Sequence, residues 1–463
     1  MKASTLKYFI ISLVASLISL IIVVMPFHGF LTVWASTIDG HYTALRLWKE
    51  ALLLLCVIGA LYLVLFDSKV RSRTMTRRLM WLLLAYSGWI LLRALIAHLN
   101  HTVTDKALAY GVLVDLRFLV FFLVAWLLAV RTTQLPAQWQ RLLLWPAYGV
   151  IGFALLQAFI LPHDFLSHFG YNEATTIPPF ETINNNSQYI RVSSTMRGPN
   201  PFGAYLLIPI SLLMVYILTP LKRNRSHLVI LPLALVALYF TYSRSAWLGA
   251  LAALVVVLAI RFGNRLLTTK RLALVAVALV VIVSAGLALR TNHRFENIVL
   301  HTQTNSTSAQ SSNQGHLAAL KNGVSDLVHQ PFGRGPGTAG PASVYNDGKT
   351  RLAEDYYIQL GQEAGWLAIG LFLLINFGVG YLLWSRRADP LALSLLAALV
   401  GLTVVNLLSH AWSDDTLTYV WWGLAGIAMA QPATAELAEA SSPVKTPKPS
   451  KARKPARQRR AKS

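Results

Sequence analysis

The chain has 463 residues, of which 55% are hydrophobic and only 13% are charged. A soluble domain of this size carries about twice that charged fraction, so a soluble fold is excluded. Basic residues outnumber acidic ones, 41 to 19, for a net charge of +22, and a sole cysteine, Cys56, excludes an intramolecular disulfide.

Apolar runs recur that are long enough to cross a hydrocarbon core of about 30 Å as helices. About twelve spans are expected, near 6–30, 51–66, 80–98, 107–130, 142–162, 201–219, 227–241, 246–260, 272–289, 364–384, 390–408 and 416–430. The first run is too long for the apolar segment of a signal peptide and lacks a small-residue cleavage site, so it reads as a retained helix. The fold class is an all-α polytopic membrane protein, with residues 1–430 as its membrane domain. Residues 431–463 are rich in Pro, Lys and Arg and are expected to form a disordered basic tail drawn to anionic lipid headgroups. Nucleic acid is not needed to account for that charge.

Orientation follows from Lys and Arg in the short loops. "DSKVRSRTMTRR" (67–78), "LKRNR" (221–225), "RFGNRLLTTKR" (261–271), "SRR" (385–387) and the tail fall on one side if the spans alternate. That side is cytoplasmic, so both ends lie inside and the largest loop, 290–363 between spans nine and ten, lies outside. Reporter fusions after Ser311 and after Ala440 are expected to report opposite sides. The same side for both would sink this topology.

Two outward loops are long, 163–200 and 290–363. The second opens with "HTQTNSTSAQSSNQG" (301–315), a polar stretch that reads as flexible. In 316–330, Leu317, Leu320, Val324 and Leu327 recur at three- and four-residue spacing and predict an amphipathic helix. "PFGRGPGTAGP" (331–341) breaks it, its glycines allowing tight turns and close backbone approach. "LAEDYYIQLGQEAGW" (352–366) then restarts a helix that runs into the membrane. On that helix Glu354, Tyr357, Ile358 and Gly361 share one face. Asp355 and Glu363, on other faces, read as helix-start and headgroup-region charges.

Three outward pieces carry candidate chemistry. "YIRVSSTMRGPNPFGAYL" (189–206) holds Arg191 and Arg197, with Gly203 where a neighbouring backbone can come close. "TYSRSAWLG" (241–249) places Arg244 at a membrane edge. The third is the loop ending in Glu354. A lone arginine at such an edge is often a headgroup anchor. Three of them outside, against the positive-inside bias, point to an anion site, because the guanidinium fork donates two parallel hydrogen bonds to a phosphate. A carboxylate nearby suits a general base toward a sugar hydroxyl.

These motifs, with "SSNQGHLAALKNGVSDLVHQPFGRGPG" and "AEDYYIQLGQEAGWLAIGLFLL", come in the order and at the separations of a family, from about 189 to 384. The chain resembles the O-antigen ligase and O-antigen polymerase superfamily of bacterial membrane glycosyltransferases. The resemblance implies transfer of a glycan from a polyprenyl diphosphate, undecaprenyl diphosphate in these proteins, at the outer face of the cytoplasmic membrane. The acceptor would be a glycan, a lipid or, in protein O-glycosyltransferases of the same superfamily, a protein. It implies no metal, cofactor or nucleotide sugar. Arg244 matches the family arginine that binds the diphosphate, and Glu354 sits at the catalytic position, with Tyr357 one helical turn on. The chain departs from the ligases at two places: His316 stands where they carry Arg, and Glu354 where they carry His. Lys321 or Arg334 would then replace the missing cation.

The rival reading is a twelve-helix transporter. A transporter built from two halves would place its longest loop inside, between spans six and seven. Here that loop is only about 220–226, and Arg93 with the Asp115/Arg117 pair are the main mid-span charges.

Overall fold

The computed structural model describes residues 3–71, 75–219, 225–266, 288–289, 292, 295–300, 312–351 and 353–430. The expected span at 272–289, except for its last two residues, lies outside the described residues, as do most of the polar stretch 301–315 and the tail. Each other expected span coincides with a helix. These are α1 (Ala3–Val24) continued by α2 (His28–Asp39), α3 (Trp48–Phe66), α4 (Arg77–Leu99), α5 (Asp105–Arg131), α6 (Gln134–Phe159), α7 (Pro199–Leu218), α8 (Arg225–Phe240) and α9 (Arg244–Leu266). After α10 (Ser312–His329), which covers the predicted amphipathic segment, come α11 (Tyr356–Ser385), α12 (Pro390–Asn406) and α13 (Asp415–Ala430). Among the described residues, eight helical segments are long and apolar enough to cross a membrane, and α8 and α12 are shorter apolar helices. The protein is an all-α polytopic membrane protein.

The first span is not one continuous helix. A 3-10 turn, Met25–Phe27, interrupts it at Pro26, whose ring and missing N–H disrupt the α-helical ladder. The segment before α7 packs into that break. Phe30 N donates to Thr195 O at 3.0 Å, and Thr195 Oγ1 donates to Pro26 O at 2.7 Å.

A second departure, from an all-helical chain, is a β-hairpin in the long loop 163–200. β1 (Glu181–Ile183) pairs antiparallel with β2 (Asn186–Arg191), placing Glu181 opposite Arg191. Asn184 and Asn185 turn the chain with φ of 49° and 56°. Asn tolerates the left-handed region that tight hairpin turns require.

Packing at the centre depends on small residues. A Cβ on Gly249 would lie 2.8 Å from Gly401 O, so α9 and α12 cross nearly backbone to backbone. Gly203 of α7 admits the side chains of Ala246 of α9 and of Ser243 just before it, rather than a neighbouring backbone. Beside them, α5 and α13 bury a cluster of charges: Lys49 Nζ lies 2.8 Å from Asp415 Oδ2 and 3.1 Å from Glu50 Oε2, and Arg117 also contacts Asp415. Opposite charges so placed offset one another's desolvation.

The glycine-rich run 331–341 is inserted between α4, α5 and α11. Gly365 interrupts α11 with φ 78° and ψ −176°, which frees carbonyls that a continuous helix would use. The run takes them: Arg334 N donates to Gln362 O at 2.9 Å and Gly335 N to Glu363 O at 2.7 Å. Gly337 N donates to the Glu363 carboxylate at 2.8 Å, and Arg93 donates to Gly333 O at 2.7 Å. Glu363, 1% exposed, is therefore not a headgroup-region charge. Its carboxylate satisfies Gly337 N in irregular backbone, where an unpaired amide in an apolar setting is costly.

Candidate functional site

β2, α7, α9, α10 and α11 converge on one cavity of about 490 Å³, within the range of small-molecule sites. Arg191 ends β2 and is held from three sides. Its Nε donates to Thr241 O at 2.9 Å, its Nη2 to Asn200 Oδ1 at 2.6 Å, and its Nη1 lies 3.6 Å from Glu181 Oε2. Burial lowers its pKa from the ordinary arginine value, and Glu181 opposes that shift. Arg244 opens α9 directly after a sharp link in which Tyr242 has φ 47°. Arg244 Nη1 donates to Leu300 O at 3.0 Å.

The opposite wall comes from α10 and the start of α11. His316 Nδ1 lies 3.2 Å from Glu354 Oε2, both side chains being about half exposed. Glu354 is not on the helix, as the helical-face reading required. It precedes the cap: Asp355 is the N-cap of α11, accepting from Ile358 N at 2.9 Å. Asp355 also lines the cavity, and burial raises its pKa, with the backbone hydrogen bonds from Ile358 and Tyr357 opposing. It fills the helix-start role expected of it.

Arg191, Arg244, His316 and Glu354 thus line one cavity, and Leu248, Leu317, Leu320, Ile358, Leu407 and Leu408 form its apolar wall. Of the predicted apolar face of α10, Leu327 is buried in the core, whereas Leu317, Leu320 and Val324 stay 43–53% exposed. The remaining sequence candidates lie elsewhere. Arg197 pairs with Asp414 at 3.5 Å, in a separate polar pocket with His28, Tyr42 and Arg46. Lys321 and Arg334 are exposed and do not line the cavity, and Arg334 donates to Gln330 Oε1. Tyr357 packs its ring against Tyr356 and Phe372.

Two neighbours escaped the sequence reading. Asn200 orients Arg191, and the Asn between Pro199 and Pro201 was the only signal available. His410 lies near Glu354; burial, reinforced by Arg197, lowers its pKa, and Glu354 opposes that shift. Nothing in its sequence context marked it. Among the described residues, no group of three His, Cys, Asp or Glu side chains could hold a metal ion.

Chemically, the cavity offers a paired guanidinium wall for an anion, a carboxylate–imidazole pair facing the same space, and an apolar flank for hydrocarbon. Residues 228–373 match the family described as O-antigen ligase. The match spans Arg244, His316 and Glu354, and supports the O-antigen ligase and polymerase superfamily that the motifs resemble. No curated protein matches the chain.

Proposed function

We propose that the protein transfers a glycan from a polyprenyl diphosphate carrier to an acceptor at the outer face of the cytoplasmic membrane, as a surface polysaccharide ligase or polymerase. The observation that carries this reading is the placement of Arg191, Arg244, His316 and Glu354 around one cavity with an apolar flank. The diphosphate of the donor lies on the arginines, and the first part of its prenyl chain lies against Leu248, Leu317 and Leu320. An acceptor hydroxyl attacks the anomeric carbon, the bond from that carbon to the diphosphate oxygen breaks, and the hydroxyl proton passes to Glu354. The leaving diphosphate keeps the bonding electrons, and its charge is stabilised by the arginine forks. His316, whose Nδ1 lies 3.2 Å from one carboxylate oxygen, holds Glu354 and leaves the other oxygen to take the proton.

The test uses the full chain, purified and placed in lipid nanodiscs with a polyprenyl-diphosphate-linked glycan and candidate acceptors. Free polyprenyl diphosphate and glycosylated acceptor are expected in equal amounts. Movement of the lipid-linked glycan across proteoliposomes, with neither product formed, would instead establish the transporter.

A further inference from the structure

A third pocket, of about 310 Å³, shares no lining residue with the candidate cavity and only Arg46 with the polar pocket around Arg197. It lies between the segment before α3, the start of α5 and the 3-10 turn Gly340–Tyr345. Arg46 and Lys106 supply its charge, Tyr110 and Tyr345 its rings, and Leu47 and Leu113 its apolar walls. We propose that this pocket holds an anionic membrane phospholipid, the phosphate between Arg46 and Lys106 and an acyl chain along Leu47 and Leu113.

The charge bookkeeping of the neighbourhood supports an anion. Lys49 also lines the pocket, but it lies 3.1 Å from Glu50 and 2.8 Å from Asp415, and Arg117 draws on the same two acids. Asp105, next to Lys106, is engaged by His98 at 2.9 Å. Among the described residues, no carboxylate lies within 4.0 Å of Arg46 or Lys106. Their contacts are with electron-rich rings and a hydroxyl instead. Arg46 donates to Tyr110 Oη at 2.9 Å and stands 5.7 Å from the Tyr42 ring centre, while Lys106 Nζ stands 4.4 Å from that of Tyr345. Such contacts orient a cation without neutralising it. Lys106 also occupies the first turn of α5, where the helix dipole adds to the positive potential.

The walls decide between a soluble anion and a lipid. Leu47 is 45% exposed beside the pocket, and a hydrated anion gains nothing from that surface. A phospholipid satisfies both halves, its phosphate meeting the cations and its chain the leucines. It would also brace the inserted loop, because Thr104 at the start of α5 already donates to Tyr345 O at 2.7 Å.

The full chain is reconstituted in vesicles containing equal amounts of phosphatidylglycerol and phosphatidylcholine, extracted in detergent, and its retained lipid measured by native mass spectrometry. Preferential retention of phosphatidylglycerol is expected. Replacing both cations, Arg46→Ala with Lys106→Ala, should reduce that preference by on the order of tenfold or more, as loss of charge-assisted contacts implies. Arg46→Lys alone should keep part of it. Equal retention of the two lipids by the parent chain overturns the proposal, and that measurement stands even where the double variant cannot be recovered. A preference unchanged in the double variant overturns it as well. So does displacement of phosphatidylglycerol by a polyprenyl-diphosphate lipid at these two residues, which would reassign the pocket to a reacting lipid. None of these readouts depends on glycan transfer, so the assignment fails or survives independently of the proposed activity.

Discussion

Glu354→Gln is expected to reduce glycan transfer by about 100- to 10,000-fold, the range a positioned general base contributes, while leaving donor-lipid binding largely intact. The substitution keeps the shape of the side chain and its ability to accept from His316 Nδ1, which now lies 3.2 Å from Glu354 Oε2. It removes the capacity to take a proton. Glu354 is half exposed to the cavity and stands outside α11, so the change costs no helix cap and no buried contact. Asp355→Asn retains a capping oxygen and should be milder. His316→Ala should also fall short of the Glu354 effect, because it frees the carboxylate without removing it. The measurement is turnover of lipid-linked glycan by the purified protein, alongside binding of the donor lipid. Turnover of Glu354→Gln at the parent rate would remove Glu354 from the chemistry and shift the role of base to His316.

Arg244→Ala should lose on the order of 100-fold in transfer, about 3 kcal/mol, if the guanidinium makes a forked contact with the diphosphate. Arg244→Lys should recover only part, since an ammonium is a point charge and cannot donate two parallel hydrogen bonds. Arg244 also donates to the carbonyl of Leu300, so the alanine variant loses that contact as well. Thermal stability and donor-lipid affinity separate the two causes. A contact to the donor predicts weaker donor binding at unchanged stability, with the lysine variant intermediate. Parent-level transfer by Arg244→Ala at equal expression would end this assignment.

Much of the architecture could be read from the chain before any contact was known. Spans are legible because, without water in the hydrocarbon layer, a crossing segment must satisfy its own backbone, and a helix of apolar residues is the local solution. That requirement acts within about 20 residues, so composition alone reports it. Arg191, Arg244 and Glu354 could likewise be named in advance, since charged residues at membrane edges are costly and few, whereas His316 was marked only by the family resemblance. The turn at Asn184 and Asn185 was also local, yet it went unread, because an Asn pair inside a polar loop resembles any other loop until a partner strand is present.

The apolar helices and the short roster of charged residues between them are thus written in the chain itself. Which of those charges share a space depends on how the helices pack. Arg197 and Arg191 are six residues apart, yet the first turns to Asp414 and the second to the cavity, because the segment between them is pulled against the break at Pro26. Glu363 could be placed at the headgroups by its position ahead of an apolar run. It is instead buried, because Gly365 breaks the helix and the glycine-rich run fills the gap, bringing Gly337 N to its carboxylate. The physical reason is common to both cases. A side chain's hydrophobicity is its own, but its partner is chosen by backbone groups that other parts of the chain leave unsatisfied, and those are created only when the helices pack.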